Sequence, residues 1–505
     1  MKIAYVPIDE RPCNVEMVKR IASSSKDIEL LLPEGAWLSK KKEPADTESL
    51  WDWIISKASE TDAIIVSIDM LVYGGLLPSR LHDMSFEQGL ESIERLKQLR
   101  ASYPHIPVYA SNVIMRAPNY NSCDEEPDYY EEWGRDLFLR SYFRDKQKRT
   151  GLSNSENSHL REIESRLPTK WIEDYEMRRE YNLRINKEIL KLVQKGILTF
   201  LSIPQDDSSE YGYTAIDHAR VMYTRYSMNL YDSVQIYPGA DEVGATLLSR
   251  AYNEFQGSCP KIYPFWSSTL GPQLIPLYED RPFGESLKAH ILAAGCQLTD
   301  SPDKADLLLA YNTPGNVMQE SWEQESKDIS YSSFRNLQFF TEQIHSSITN
   351  GGNVIIADSA FANGGDLELI KQLDTRKVLD KIISYKGWNT NCNTLGSTIS
   401  QGVIGLNGEP EIIQENICYH LLDDYFYQAE IRMRVTNELL PPYELTYFNL
   451  KDKADTVNEE RNKQLWDRYH AVIYNSFKDK ELRRIQTYAP WNRMFECAFI
   501  LEFER

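Results

Sequence analysis

The chain has 505 residues, 42% hydrophobic and 11% aromatic, with a formal net charge of −19. That length is too great for one ordinary compact core, and an acidic balance without a long basic run argues against nucleic acid as a partner. Seven scattered cysteines without a CxxC pair argue against a disulfide framework or a zinc site. No stretch reads as a membrane span or a secretory leader, so the expectation is a reduced, soluble, cytoplasmic protein, with self-association left open.

In chain order, short apolar runs recur, and each ends in polar or glycine-rich residues. KIAYVPIDER ends in Asp9, Glu10 and Arg11. DAIIVSIDMLVYGG ends in Asp69, followed by Tyr73, Gly74 and Gly75. IPVYASNVIMR ends in Asn112 and Arg116, ILTFLSIPQDD in Asp206 and Asp207, and SVQIYPGADE in Asp241 and Glu242. PKIYPFWSS ends at Ser267, ADLLLAYNTPGN in Asn312, and GGNVIIADSAFANGGD in Asp358 and Asn363.

Between most of these runs lie stretches of helical spacing, such as FEQGLESIERLKQLRASY and SFRNLQFFTEQIHSSITNGG. Near-continuous apolar strands alternating with helices predict a parallel sheet covered on both faces. Eight such units predict an α/β fold of the (β/α)8, TIM-like class over residues 1–404. The alternative is two doubly wound, Rossmann-like lobes split near residue 258. A polar insertion from about 119 to 180 predicts helices after the third strand, over the mouth of the barrel. Residues 405–505 change character and predict a C-terminal accessory region of charged helices and a final strand.

Ligands of parallel α/β sheets bind beyond the carboxyl ends of the strands, where Asp and Glu collect here. An Asp at a strand end is as readily a helix N-cap, and YGG or NGGD is a good turn in its own right. No HxH, HExxH, P-loop, GxGxxG or GxSxG pattern is present, so neither a metal nor a cofactor is expected. His82, His105 and His218 are isolated, and Cys13 reads as a small core residue. A carboxylate pair for glycoside chemistry remains: one acid protonates the leaving oxygen while the other stabilises an oxocarbenium-like centre. Asp206 and Asp207 are adjacent, and their repulsion with partial burial predicts that one stays protonated near neutral pH.

The string PIDERPCN, SIDMLVYGGLLPSR, QDDSSEYG, YPGADEVG, ADSAFANGGD, GWNTNCNTLG and PWNRMFE resembles the bacterial family described as domain of unknown function 4127, over nearly the full chain. More distantly, an Asp-Asp pair counted to the fourth strand resembles the retaining β-N-acetylhexosaminidase barrels of the O-GlcNAcase and hyaluronidase type. That resemblance implies substrate-assisted catalysis, with Asp206 polarising the acetamido group and Asp207 as acid/base. It also implies a small carbohydrate or glycoconjugate fragment held by Asp9, Arg11, Asp69, Tyr73, Arg116, Asp241, Glu242, Asn312, Asp358, Asn363, Trp388 and Asn389, with Trp388 as a stacking wall. Asp241-Glu242 resembles the Asp-Glu pair of other hexosaminidases and is the alternative catalytic pair. A metal-dependent hydrolase or isomerase, and a non-catalytic sugar- or peptidoglycan-fragment-binding protein, are the competing readings.

Overall fold

The computed structural model describes residues 1–473, 475–477 and 482–504; residues 474, 478–481 and 505 of the expected accessory region lie outside the described residues. The chain forms two compact units. The first comprises Met1–Glu10, Ile28–Leu247 and Tyr278–Asp280, and the second Arg11–Asp27, Leu248–Leu277 and Arg281–Arg505. Residues 405–504, where described, all fall within the second unit.

The first unit is built on β1 (Lys2–Val6), β2 (Glu29–Leu31), β3 (Ala63–Ser67), β4 (Val108–Ser111), β5 (Phe200–Gln205) and β6 (Val234–Pro238). They form one six-stranded sheet in the order β2-β1-β3-β4-β5-β6, and every pairing is parallel. Register runs straight across, with Ile65 opposite both Tyr5 and Tyr109, and Tyr109 opposite Phe200. Strands β3, β4 and β5 are buried along their whole length, as unbroken apolar letters require.

The second unit contains β7 (Lys261–Trp266), β8 (Gln297–Leu298), β9 (Leu307–Asn312), β10 (Gln319–Glu320), β11 (Val354–Asp358), β12 (Phe361–Ala362), β13 (Ser384–Lys386), β14 (Leu482–Tyr488) and β15 (Ala498–Phe503). Its main sheet is five-stranded and parallel, in the order β13-β11-β9-β7-β8. Strands β10 and β12 form a small parallel pair, and β14 and β15 an antiparallel one. The core of this unit gathers Ile356, Leu369 and Phe340 with Ile417, Phe426, Leu465 and Leu482 from the last hundred residues.

All eight apolar runs are strands, but their pairing does not give a single eight-stranded barrel. Among the described residues the runs are shared between two open sheets, as in the two-lobe alternative. Counting inward from the first edge, each sheet has its second strand outside its first, then the third, fourth and later strands. That is a doubly wound order, with the switch point between β1 and β3 in one unit and β7 and β9 in the other. No described helix is long and apolar enough to cross a membrane.

The expected insertion is helical, comprising Tyr130–Arg149, Asn154–Arg166 and Thr169–Gln194. It follows β4, because the short β2 precedes the strand counted second. Its helices share a core of Tyr130, Leu137, Ile163 and Tyr175 with Met115 and Ala117.

Ile356 is fully buried between Ala310 and Tyr385 on the neighbouring strands. Ile356→Ala should lower unfolding stability by about 2–5 kcal/mol, read as a lower urea midpoint with unchanged slope.

Candidate active site

Six parallel strands place all their carboxyl ends along one rim of the first sheet. Asp9 and Glu10 follow β1, Asp69 follows β3, Asn112 and Arg116 follow β4, Asp206 and Asp207 follow β5, and Asp241 and Glu242 follow β6. Asp9, Asp69, Asp241 and Glu242 are all buried. Arg11, Asn312, Asp358, Asn363, Trp388 and Asn389 belong to the second unit. The anticipated single ring of strand-end residues is therefore divided between two sheets.

At the first rim the Asp206-Asp207 pair meets two arginines. Arg80, from the short helix Pro78–Leu81, donates from Nη2 to Asp206 Oδ2 at 2.6 Å and from Nη1 to Glu126 Oε1 at 3.0 Å. Arg116 donates from Nη1 to Asp207 Oδ2 at 3.1 Å and from Nε to the same Glu126 oxygen at 2.8 Å. Glu125 Oε2 lies 3.3 Å from Arg80 and 2.8 Å from Arg116. Four carboxylates thus share two guanidinium groups, an excess of two formal negative charges (4 − 2).

That excess falls on Asp207. Burial first, and then the neighbouring Asp206 carboxylate, push its carboxyl up to about 6 against the opposing pull of Arg116 and Arg80. Its side chain is 26% exposed, whereas that of Asp206 is 12% exposed. Its backbone has φ of +39°, a left-handed conformation that costs a non-glycine residue free energy. The turn aims two consecutive side chains at two different arginines.

One helix of the insertion fixes this rim from behind. On Thr169–Gln194, residues 175, 179, 182 and 186 repeat at steps of four, three and four, which places them on one face. The Tyr175 hydroxyl and Arg179 Nη1 both donate to the Arg116 carbonyl, at 3.0 and 2.8 Å, and Arg179 Nη2 to that of Met115 at 2.7 Å. Asn182 Nδ2 donates to the carbonyl of Ser79, next to Arg80, at 2.9 Å, and Asn186 Nδ2 to Asn112 Oδ1. Arg179 is itself paired with buried Asp217 at 2.6 Å. This helix, expected over the mouth of a barrel, buttresses the residues that carry both arginines.

Asp69 lies at the start of the helix Ile68–Tyr73 and accepts from Asn112 Nδ2 at 3.2 Å and Val113 N at 3.0 Å. Burial raises its carboxyl to about 7 against those two bonds. Tyr73 is buried and stacks on His82 with centroids 4.8 Å apart. Gly74 and Gly75 turn the chain after it at φ of +85° and +136°, and a Cβ on Gly74 would lie 2.7 Å from Pro44. Glu242 Oε2 accepts from the backbone N of Ala240 at 3.0 Å, a local turn contact.

In the second unit, Asn312 Nδ2 bridges Asp358 Oδ1 at 2.8 Å and Asp366 Oδ2 at 3.2 Å, and Arg335 pairs with Asp366 at 2.7 Å. Burial and then Asp366 push the Asp358 carboxyl up to about 7; Arg335 holds Asp366 below the usual range despite its own burial. Arg11 pairs with Glu496 at 3.2 Å and lies over the Trp491 ring. Asn363 N donates to the Asn389 carbonyl at 2.9 Å, both residues having positive φ. Trp388 packs with Cys13 and Met17 as core and offers no exposed ring for stacking. Among the described residues no three His, Cys, Asp or Glu side chains are placed to hold a metal ion. Arg80, Glu125, Glu126, Arg335 and Asp366 are the members of these networks that sequence reasoning missed.

The family model described as Protein of unknown function (DUF4127) matches residues 3–499. The chain belongs to that family. The match spans both units, so the DUF4127 unit of sequence is the two-sheet protein and not one lobe of it. No curated protein matches this DUF4127 chain.

Two outcomes follow from the rim. Arg80→Ala leaves the buried Glu126 and Asp206 without their shared partner, and should cost about 3–5 kcal/mol in thermal or urea unfolding. Arg80→Lys restores only part, since an ammonium lacks the planar fork. The raised Asp69 carboxyl makes the folded state bind its proton more tightly than the unfolded chain does. Its contribution is therefore complete below about pH 4 and lost as pH rises through about 7. Asp69→Asn should flatten that fall in stability, measured by urea unfolding at several pH values.

Proposed function

We propose that the protein is a glycoside hydrolase in which Asp207 is the acid/base and Asp206 the stabilising carboxylate. The observation that carries this reading is the unlike environment of two adjacent acids. Asp206 is clamped by Arg80 at 2.6 Å, while Asp207 is raised to about 6 and keeps a quarter of its side chain at the surface. A carboxyl driven up beside an arginine-bound carboxylate supplies one proton donor and one negative charge. An acetal needs both.

In the finer form of the proposal the substrate is a small β-linked N-acetylhexosaminide cleaved from its end. Its acetamido oxygen attacks the anomeric carbon while Asp207 gives its proton to the departing oxygen. The Asp206 charge supports the resulting oxazolinium ion. Water then adds to the anomeric carbon, giving a proton to Asp207 and reopening the ring. The pair closes the fifth strand of an open sheet, so fold analogy to the hexosaminidase barrels lends this no support. It rests on the chemistry of the pair.

The test is hydrolysis of an aryl N-acetyl-β-hexosaminide. Asp207→Asn should lower kcat about 10²–10⁴-fold, and a chelator should leave the rate unchanged. Full activity in Asp207→Asn, with Glu242→Gln inactive, would move the chemistry to the neighbouring strand end. Loss of activity on chelation would favour the metal-dependent reading.

A further inference from the structure

The second unit holds a buried amine that no ion pair accounts for. Lys386 is the last residue of β13, an edge strand of the five-stranded sheet, opposite Ala357 of β11 and so beside Asp358. It is 1% exposed. Among the described residues its ammonium has neither a hydrogen-bond acceptor nor a carboxylate within ion-pair distance. A lysine buried without a partner is held there at a cost, unless it is neutral.

The elements around it explain which form is favoured. The helix Asn391–Gly405, packed against β13, carries no charged residue. From the helix Glu16–Ser23, Arg20 adds a repelling positive charge; it is stacked over Tyr419 and paired with Glu16 at 3.2 Å. Only Asp424 opposes them. Its carboxylate is already engaged, accepting from Gly387 N at 2.8 Å and facing His420 Nδ1 at 3.0 Å. Burial, with Arg20 and against Asp424, brings the Lys386 ammonium down to about 7. Burial and then Lys386 lower His420 to about 4, so its imidazole is neutral at pH 7. With Nδ1–H donated to Asp424, Nε2 is left as a base.

A second observation marks the same place. Asp424 lies in an eleven-residue π-helix, Leu421–Ile431, continuing the helix Pro410–His420. Such wide turns are rare and gather at functional sites. This one sets Asp424 against both His420 and the residue after Lys386.

We propose that Lys386 is a carbonyl-reactive amine, which condenses with a small aldehyde or ketone at the tip of this edge strand, with His420 and Asp424 handling the proton. The lone pair on Nζ forms a bond to the carbonyl carbon as the C=O π pair moves to oxygen. The nitrogen releases its protons by way of His420, and the oxygen takes them up and leaves as water. The products are an imine at Lys386 and one water, with no oxidant or reductant consumed. Desolvation beside a second cation is a known route to a nucleophilic lysine. The inference is independent of the chemistry proposed for the first sheet.

The full chain is incubated at pH 7 with glycolaldehyde, or in a second arm with pyruvate, and the imine is trapped with cyanoborohydride. Peptide mass spectrometry then gives occupancy at each lysine. About half of Lys386 is neutral at pH 7, against roughly one in 2,500 of an ordinary lysine of pKa 10.4. After allowance for restricted access, Lys386 should label at least about tenfold faster than exposed Lys19, and its rate should level off by about pH 8.5 while that of Lys19 still climbs. No labelling in either arm, or labelling no faster than Lys19 with the circular dichroism of the native fold, overturns the proposal. So does a rate still rising with that of Lys19 above pH 8.5.

Discussion

Two guanidinium groups among four carboxylates are the constraint on which the first rim depends. Arg80 and Arg116 draw together a short helix, the turn after β4, the Glu125-Glu126 loop and the tip of β5. Remove the arginines and four acids crowd one rim in mutual repulsion. With them in place, charge is still unevenly matched, and the remainder settles on Asp207, the most exposed of the four acids. The same interaction therefore holds the rim together and gives Asp207 its unusual proton affinity. Lys41, paired with Asp124, and Lys42, bonded to the carbonyls of Cys123 and Glu126, pin the loop that supplies the two glutamates.

The second unit uses the same device with a different count. Asp366 has an arginine and stays a low carboxylate; Asp358, linked to it through Asn312, has none and is driven up. In both units one member of a strand-end acid pair is driven up by burial and by its neighbouring carboxylate, beside an acid that an arginine binds. Asp366 also caps the helix Leu367–Thr375, accepting from Glu368 N and Leu369 N, so there the charged member has a structural task. At the first rim neither Asp206 nor Asp207 caps a helix. That leaves the pair available for chemistry.

Much of the fold was legible because strands buried on both faces are written in uninterrupted apolar letters. Every such run is a strand. In the two main sheets, the strands that the apolar runs leave out are ELL at β2, QL at β8 and SYK at β13, all short and at sheet edges, where one side needs no partner and little apolar area is required. Overlooking β2 moved the Asp206-Asp207 pair from the fifth strand to the fourth. Closure into a barrel or division into two sheets depends on which strands pair, and no local pattern encodes that. The acid pair was visible as a strand terminus. Arg80 was not, because its partner Asp206 lies 126 residues away. The 175-179-182-186 stripe of polar residues on a helix was the one signal that could have revealed the support behind the rim. Trp388 illustrates the opposite error, an aromatic in a conspicuous motif that simply fills space beside Cys13 and Met17.

The helix Glu16–Ser23 belongs to the second unit although the chain on both sides of it, up to Glu10 and from Ile28, belongs to the first. Its Ser24 cap is bound by Gln401, 377 residues later, and the backbone of Glu409 donates to the Ser24 carbonyl. During synthesis the strands of the first sheet can pair as they emerge. Met17, Val18 and Ile21 meanwhile stay without their packing partners until the helices Asn391–Gly405 and Pro410–His420 have left the ribosome. This amphipathic helix completes its packing only when residues 391–420 are present, so the two units interleave along the chain and neither can be excised as one continuous segment.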